Sequence, residues 1–474
     1  MLDPSARPQS WFDAPAWPLG RWLLLVFAMR LPAIFFADGF EFVDQQYQYV
    51  DPAWHMATGQ AWYQPWEWVE GIRSSVYPWL LAWLFQVLAA VGFEDPDGTL
   101  RAVRAVHALA SLLPAWLFWS LVVRWRPIAM PRRALLLFAL SGLMIAGVQP
   151  SGPTLAISLS LAAAIAVEGG VGLAFMGGLC LGLAFCMRFQ DALFGPGILL
   201  ALLWRRRFAA AAAFAAGCVP GICVQGFVDL AEHGTFLATP WRYLRSNVEF
   251  GAADKWTQQP FWFYWLVGVV PLVGLLPPFV RVAWQRLRAG AFVLPAATLG
   301  ALGHLLAHSF IARKAMRFEY PALAMLVGVV AVGMSAASGR WPQWHGRWLA
   351  FVHVLTFGYA SFWAGNLGAV RAAHWLRDQP AFDGRVLVVG GDATSLGGYF
   401  HLRPPADHAV GTTLVAFADA VRREQVPAAQ FVVAVRHPLP VELADAAGLE
   451  LAATFCGQWN LRGGERRFVY RWRR

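Results

Sequence analysis

Between its first long apolar run and the next, the chain carries the stretch Trp66-Glu67-Trp68-Val69-Glu70-Gly71-Ile72-Arg73-Ser74-Ser75-Val76-Tyr77-Pro78. The stretch combines two carboxylates, one arginine and two tryptophans, which a simple tether between apolar segments does not require. Most other charges in the segment leading to it are also acidic. Acidic side chains held at a membrane surface beside aromatic rings suit a site that takes a proton from a hydroxyl group. We therefore expect the chemistry of this protein here.

The composition is that of a polytopic membrane protein. The chain has 474 residues, of which 58% are hydrophobic, and its mean hydropathy is +0.47. Repeated apolar runs are long enough to cross the roughly 30 Å of hydrocarbon in a bilayer. The run 22–36 lacks a cleavage site and is interpreted as a retained signal anchor. The net charge of +10 comes almost entirely from arginine in short loops, which indicates topology determinants and lipid contacts rather than nucleic-acid binding.

The arginine clusters orient the predicted spans. We place on the cytoplasmic side Arg124, Arg126, Arg132, Arg133, Arg205, Arg206, Arg207, Arg281, Arg286, Arg288, Arg340 and Arg347. About eleven crossings satisfy this rule, at 20–37, 103–123, 134–149, 153–167, 171–187, 191–204, 208–227, 262–281, 291–310, 319–337 and 348–366. The N-terminus is then inside, and both the loop 38–102 and the C-terminus are outside. The apolar segment 76–93 has acidic flanks, and we interpret it as a juxtamembrane or re-entrant helix.

The composition changes after about residue 367. The segments 385–391, 430–435 and 468–472 are strand-like and 414–423 is helical, which predicts a small α/β domain outside the membrane. The turn Gly390-Gly391-Asp392 lacks the spaced glycines of a dinucleotide site, so we do not predict one. The five cysteines have neither metal-ligand spacing nor a disulfide framework and are interpreted as packing residues.

Four separated regions of the chain resemble one enzyme family. The first comprises Asp44, Asp51, His55 and Gly59, and the second is the run from Trp66 to Pro78. The third comprises Asp229, Gly234, Pro240, Tyr243, Asn247, Gly251 and Phe261-Trp262-Phe263-Tyr264, and the fourth is Arg313-Lys314-Ala315-Met316-Arg317-Phe318-Glu319-Tyr320-Pro321. Together they resemble glycosyltransferase family 22, the lipid-phosphate-mannose-dependent mannosyltransferases with the GT-C fold. Compared with the family pattern, Phe42-Val43 replaces His-Pro before Asp44, Gln45 replaces Glu, and Arg313 and Ala315 replace His and Glu.

The resemblance implies a GT-C membrane domain over 1–366, with the catalytic loop at 38–102. The composition change adds the extracytoplasmic α/β domain over 367–474. The resemblance also implies transfer of a sugar, in the simplest case mannose, from a polyprenyl-phosphate carrier to a hydroxyl of a glycolipid or glycan. Such a reaction needs a base for the hydroxyl and cations for the departing phosphate. No cofactor is implied, and we predict that transfer needs no metal. If the protein is bacterial, as its arginine and asparagine usage suggests, it is a multi-pass protein of the inner membrane with a periplasmic C-terminal domain.

Candidate site residues follow from these requirements. We predict Asp44 as the general base and Glu67 as a second acid–base or positioning group, the alternative for Glu67 being a salt bridge with Arg73. Asp51 and Glu70 are interpreted as structural. Phosphate contacts are predicted for Lys314, Arg317, Arg73 and Arg188, with headgroup anchoring as the alternative. Substrate contacts are predicted for Trp66, Trp68, His55, Tyr77 and Asp229, although interfacial aromatic anchoring and a structural histidine are alternatives.

Two other functions are compatible with the sequence. A GT-C transferase for another sugar, such as glucose, galactose or arabinose, fits the same residues. A lipid or saccharide transporter is a second class of function. The acidic loop, the folded tail, the scarcity of mid-span charges and the lack of an inverted repeat all argue against transport.

Overall fold

The computed structural model describes residues 15–40, 42–60, 62–249, 258–273, 294–336, 343–362, 365–380, 382–391, 393–402, 409–457 and 466–473. Gly251 and the predicted cytoplasmic residues Arg281, Arg286, Arg288 and Arg340 lie outside these ranges. The chain forms two compact units. We call Met1–Ile34 with Arg104–Ser361 the helical unit, and Phe35–Val103 with Phe362–Arg474 the loop–tail unit. This division groups the loop after the first apolar run with the C-terminal tail, whereas the sequence-based domains join that loop to the membrane part.

The helical unit is built from apolar helices. In chain order they are Leu19–Ala28, Leu31–Phe36, Pro96–Ala110, Leu112–Ser120, Pro131–Leu140, Gly142–Ala146, Gly152–Ala166, Val171–Met187, Phe194–Trp204, Phe208–His233, Ala238–Leu244, Pro295–Ser309, Tyr320–Ala336 and Gln343–Phe362. Of these, Leu31–Phe36, Pro96–Ala110 and Gln343–Phe362 each cross a boundary between the two units. π-Helical turns occupy Leu121–Trp125, Arg245–Glu249 and Tyr264–Val273, and 3₁₀ turns occupy Phe189–Leu193 and Met316–Phe318.

Three helical stretches in the described ranges are long and apolar enough to cross a membrane: Leu19–Phe36, Pro96–Trp125 and Phe208–His233. They coincide with the predicted spans 20–37, 103–123 and 208–227. Val76–Ala90, Gly152–Ala166, Val171–Met187, Phe189–Trp204 and Tyr320–Gly333 are shorter apolar helices. The count of eleven crossings, and the juxtamembrane placement of segment 76–93, stay predictions.

Small residues allow two of these helices to pack closely. Helix Val171–Met187 contacts helix Phe208–His233 through glycines at four-residue spacing on both sides. A Cβ atom at Gly178 would lie 2.0 Å from the carbonyl oxygen of Phe214, and one at Gly217 would lie 2.0 Å from that of Phe175. Packing through small residues lets helix backbones approach in the way that membrane helices favour. This pair therefore cannot accept side chains at the crossing.

The loop–tail unit contains shorter helices around a sheet. Its helices are Val43–Gln45, Asp51–Thr58, Trp66–Val69, Val76–Ala90, Leu367–Arg377, Tyr399–Leu402, Leu414–Arg422 and Val441–Ala446, with a π-helical turn at Gln46–Val50 and a 3₁₀ turn at Ala393–Ser395. The strands are β1 (Val386–Val389), β2 (Ala409–Thr412), β3 (Phe431–Val435), β4 (Leu449–Phe455) and β5 (Arg467–Trp472).

The five strands form one mixed sheet in the order β2-β1-β3-β5-β4. β1 pairs in parallel with β2 and β3, and β5 runs antiparallel between β3 and β4. Alternate residues of β1 enter separate cores, because Val386 and Val388 pack with Leu376 while Leu387 and Val389 pack with Phe417. Burial on both faces explains why the strand is a continuous apolar run. Strands predicted at 385–391, 430–435 and 468–472 are present, and β2 and β4 were not predicted.

Candidate active site

Asp44 lies at the start of an unusual helical stretch. It occupies the first turn of helix Val43–Gln45 and is half-buried. The backbone continues through the π-helical turn Gln46–Val50 into helix Asp51–Thr58 without leaving helical geometry. Single π-turns inserted in α-helices are frequent at functional sites, since they shift the directions of the side chains that follow. Gln48, four residues after Asp44, therefore belongs to the same local structure.

Glu67 is the buried carboxylate of the run from Trp66 to Pro78. The amide Nε2 of Gln48 donates to its Oε1 at 2.9 Å, and Nη2 of Arg73 lies 3.4 Å from the same oxygen. Glu67 is 7% exposed. The ion pair that the sequence offered as the alternative for Glu67 is thus present. Gln48 did not emerge from the sequence, and its own Oε1 is buried without a hydrogen-bond partner among the described residues, so it presents an acceptor beside Glu67.

Asp51 fastens this segment to the tail. Its Oδ1 accepts from the Phe400 amide at 3.0 Å and from Nε2 of Gln46 at 2.7 Å, and its Oδ2 accepts from the Tyr399 amide at 3.0 Å. Burial raises the pKa of Asp51 to about 6, and the three hydrogen bonds oppose that rise. The carboxylate therefore holds the first turn of helix Tyr399–Leu402, which agrees with the structural role predicted for it.

The aromatic candidates differ in how accessible they are. The Trp66 side chain is 41% exposed. Trp68 packs edge-to-face on Trp62, and Tyr77 is buried edge-to-face against Tyr49. Nδ1 of His55 lies 2.6 Å from the Gln60 carbonyl oxygen at the end of its helix. Trp66 is therefore the most accessible of these residues, while His55 and Tyr77 have packing roles.

Asp229 in the helical unit is fully engaged by neighbours. Its carboxylate accepts from the Thr239 amide at 3.0 Å, from the Thr239 hydroxyl at 2.8 Å and from Nε2 of Gln225 at 2.8 Å. These bonds connect helix Phe208–His233 with helix Ala238–Leu244 across the turn at Gly234, whose φ of 68° ends the first helix. In this geometry Asp229 holds the connection between the two helices.

Three arginines surround one phenylalanine ring in the helical unit. The guanidinium carbons of Arg317, Arg188 and Arg313 lie 5.3, 5.5 and 6.0 Å from the centre of the Phe318 ring. Contacts of this length are cation–π interactions. Arg188 and Arg317 were predicted as phosphate ligands from separate regions of the sequence, and the fold brings them together. Arg313, which replaces the histidine of the family pattern, joins them.

Arg188 is the buried member of this cluster. The residue is 6% exposed, and neither Nη atom has a hydrogen-bond partner within the described ranges. Oδ1 of Asp191 lies 3.7 Å from Nη1, while Oδ2 of Asp191 accepts from Ser160 at 2.6 Å. A buried guanidinium whose Nη atoms are paired with a carboxylate but not hydrogen-bonded is costly. Such a group is suited to receive an anion.

A buried carboxylate–histidine group lies beside the cluster. Glu319 follows Phe318, and its two oxygens lie 2.9 Å from Nδ1 of His304 and 2.5 Å from Nδ1 of His308. All three side chains are almost fully buried. Both carboxylate oxygens are therefore already engaged, and His304 also stacks on Phe194. Glu319 belongs to the fourth motif region, but its partners were not predicted, because both histidines sit in the apolar helix Pro295–Ser309, outside the four motif regions.

Lys314 is less available than the sequence suggested. Its Nζ donates to the carbonyl oxygens of Gln259 at 3.0 Å and Ile311 at 2.5 Å. Two of its three N–H bonds are thus used to hold the loop. Its charge still contributes to the local field, but its geometry favours a bracing role over direct contact with a ligand.

Comparison with known proteins bears on this arrangement. The model of the Alg9-like mannosyltransferase family matches residues 21–374. The chain belongs to the Alg9-like mannosyltransferase family. The predicted family of glycosyltransferases is thereby confirmed, and the matched range includes the Asp44–Arg73 segment, the arginine cluster and the carboxylate–histidine group.

Individual relatives agree with this assignment. The chain is 25% identical to GPI mannosyltransferase 3 of Drosophila melanogaster over 329 residues, which is 67% of this chain and 56% of the relative. It is 24% identical to GPI mannosyltransferase 3 of Yarrowia lipolytica over 375 residues, which is 76% of this chain and 70% of the relative. The chain thus spans little more than half the length of the Drosophila protein.

A solved structure shows the fold. The crystal structure of ArnT from Cupriavidus metallidurans bound to undecaprenyl phosphate superposes with a TM-score of 0.61 at 11% identity, covering 95% of this chain and 97% of that chain. The predicted GT-C fold is confirmed at this level.

Proposed function

We propose that this protein is an integral-membrane mannosyltransferase that moves a mannosyl group from polyprenyl-phosphate mannose to a hydroxyl group of a glycolipid or glycan. We further propose that the reaction takes place on the extracytoplasmic side, where the arginine clusters place segment 38–102. The observation that carries the proposal is the buried Arg188 beside Arg313 and Arg317, within a chain that belongs to a mannosyltransferase family.

The charge of the cluster suits a departing lipid phosphate. At ordinary protonation states Arg188, Arg313, Arg317 and Lys314 are cationic, while Asp191 and Glu319 are anionic, so two positive charges are in excess. A phosphodiester donor carries one negative charge, and the phosphate monoester that leaves carries about −1.5 to −2. The cluster therefore gains more favourable interaction as the bond to the sugar breaks, which is the requirement for catalysis.

Asp44 is proposed to accept the proton. The acceptor oxygen attacks C1 of the mannosyl group, the bond from C1 to the phosphate oxygen breaks, and the hydroxyl proton passes to the carboxylate of Asp44. The electron pair of the broken bond stays on the polyprenyl phosphate. Glu67, held by Gln48 and Arg73, is proposed to orient the acceptor hydroxyl. The accessible Trp66 ring provides an apolar face for the sugar C–H groups.

The test is transfer by the purified full-length protein from synthetic polyprenyl-phosphate mannose, glucose, galactose and arabinose into a membrane glycolipid extract. Incorporation from the mannose donor that is lost in Asp44→Asn and retained in the exposed-carboxylate control Glu70→Gln supports the proposal. If incorporation comes only from the glucose, galactose or arabinose donor, that sugar takes the place of mannose in the proposed function. Full turnover by Asp44→Asn removes Asp44 as the base, and lack of binding to any lipid-linked donor refutes the proposed donor class.

The membrane side has a separate test. Single cysteines placed in segment 38–102 of a cysteine-free variant should be labelled by an impermeant maleimide added to intact cells. Labelling only after lysis would place this segment, and the proposed reaction, on the cytoplasmic side.

A further inference from the structure

Two histidines and an aspartate that are not among the residues proposed for transfer meet in the loop–tail unit. Asp97 lies in the first turn of helix Pro96–Ala110, His374 in helix Leu367–Arg377 and His401 in helix Tyr399–Leu402. One potential ligand atom from each lies within 4.8 Å of the other two. Nε2 of His374 is 2.9 Å from Nδ1 of His401, so these are the two nitrogens that would share one ion. Oδ2 of Asp97 lies 3.8 Å from Nδ1, the other ring nitrogen of His374, and its half-exposed side chain would have to rotate to complete the site.

We propose that Asp97, His374 and His401 bind a divalent transition-metal ion, with Zn²⁺ as the ion that this ligand set fits. Two imidazoles and one carboxylate are a common protein ligand set for zinc. In tetrahedral geometry with Zn–N bonds near 2.0–2.1 Å, two ligating nitrogens lie about 3.3 Å apart. The facing nitrogens of His374 and His401 therefore need to separate by only a few tenths of an ångström.

The surroundings favour a cation and allow it to enter. The carboxylates of Asp95 and Asp378 act on His374 electrostatically together with that of Asp97, and Arg377 is the cation that opposes them. His401 is 2% exposed, whereas the side chains of His374 and Asp97 are 18% and 42% exposed. The ligands thus form a site with a buried inner histidine and an open outer carboxylate, where solvent would supply the fourth ligand.

The metal would have a structural role. It would join two segments of the tail, at residues 374 and 401, to the distant segment at residue 97. The helix that carries His401 is the one whose first amides are bound by Asp51. Metal at one end and a carboxylate at the other would therefore fix helix Tyr399–Leu402 within the loop–tail unit. This role is independent of the transfer chemistry and does not require that the proposed function be correct.

Cobalt(II) is the probe for this site, because its visible absorption reports coordination geometry and ligand type. The full-length protein in detergent, treated with EDTA and dialysed, should bind one Co²⁺ per chain with the absorption of a nitrogen–oxygen site. Zn²⁺ should displace the cobalt and raise the temperature of thermal unfolding. Absence of a thiolate charge-transfer band is expected, since none of the three ligands is a cysteine.

Variants of Asp97, His374 and His401 test whether the cobalt spectrum arises from these three residues. His374→Gln and His401→Gln should abolish the cobalt spectrum, and Asp97→Asn should weaken binding by at least about 10- to 100-fold, the loss that follows removal of even a second-shell partner. The exposed-histidine variant His437→Gln serves as the matched control and should bind as the wild type does. Each variant is used only if its metal-free elution volume and tryptophan fluorescence match those of the wild type.

Three results would overturn the proposal. The first is no saturable cobalt binding by the wild type, which would leave a hydrogen-bonded histidine pair. The second is a thiolate charge-transfer band, which would locate the ion at a cysteine. The third is unchanged affinity in the Asp97→Asn variant, which folds as an exposed substitution and so remains informative if the buried histidine variants do not fold.

Discussion

Replacing Arg188 by glutamine should slow the chemical step far more than it weakens donor binding. The buried guanidinium sits in the cluster around Phe318 with neither Nη atom hydrogen-bonded among the described residues. At a contact distance of about 4 Å and an effective dielectric constant near 20, one pair of unit charges interacts by about 4 kcal/mol. The donor phosphate gains up to one negative charge as the sugar leaves, so full charge development places about 4 kcal/mol of stabilisation in the transition state alone.

Loss of this stabilisation corresponds to a range of possible decreases in kcat. If half of the charge has developed in the transition state, the loss is about 2 kcal/mol, which is about 30-fold in kcat, and full development gives about 1,000-fold. The donor KM should rise by less, because only the existing single charge contributes to ground-state binding. Initial rates over a series of polyprenyl-phosphate mannose concentrations separate the two constants. Arg188→Lys keeps the charge and should retain more activity, although it lacks the planar arrangement of donors.

Folding must be controlled in this experiment. Removing Arg188 leaves Asp191 as a buried carboxylate for which, among the described residues, only Ser160 is a hydrogen-bond donor, and such a charge is strongly destabilising. The double variant Arg188→Gln with Asp191→Asn removes both charges and is the appropriate comparison. A folded double variant that retains kcat within about fivefold of the wild type would refute the electrostatic role, since that change corresponds to about 1 kcal/mol.

Three further predictions test other parts of the structure. Burial raises the pKa of Asp51 from 3.8 to about 6, so between these pH values the folded state keeps a proton that the unfolded chain releases. The free energy of unfolding should therefore fall by about 3 kcal/mol as the pH rises from about 4 to 6. Thermal unfolding against pH should show this slope in the wild type and in the exposed control Asp378→Asn, and a slope that persists in Asp51→Asn would contradict it. Gln48→Met keeps the side-chain volume but removes the donor to Glu67, so it should lower kcat by about 10-fold or more with little effect on the unfolding temperature; equal activity would show that Glu67 needs no such support. Gly217→Leu should prevent folding or lower the yield of monodisperse protein, because its Cβ would meet the Phe175 carbonyl at 2.0 Å, while Gly172→Leu at an open position should not.

Much of the fold could be predicted from local patterns. Helix Val171–Met187 coincides with its predicted span, and β3 and β5 lie within one residue of theirs, because uninterrupted apolar runs and arginine-bounded ends are local signals. β2 and β4 were missed, since each mixes small, polar and apolar residues. The grouping of the loop with the tail was also missed, because hydrogen bonds such as those from the Tyr399 and Phe400 amides to Asp51 connect residues almost 350 positions apart.

The residues of the candidate site also divide into those that the sequence indicates and those whose role only the fold reveals. Glu67, Arg73 and Arg188 could be named because motif residues of unusual chemistry stand out in an apolar chain. Glu319 stood in the fourth motif region without an assigned role and Gln48 was not singled out, since a single carboxylate and a neutral amide acquire their importance only from the partners that folding brings to them. Arg188 is an intermediate case. An arginine directly after the apolar helix Val171–Met187 is a signal, but its convergence with Arg313 and Arg317 on Phe318 is a property of the tertiary structure.

The carboxylate of Asp51, which takes its hydrogen bonds from the tail, also limits how this chain can be recombined with its relatives. A chimera that exchanged only the loop, or only the tail, would leave either a buried carboxylate without its amide donors or helix Tyr399–Leu402 without its cap. Residues 35–103 and 362–474 should therefore be exchanged together in a hybrid, although the sequence separates them by more than half of the chain. A chimera designed to change specificity within this family should therefore take both segments from the same parent protein.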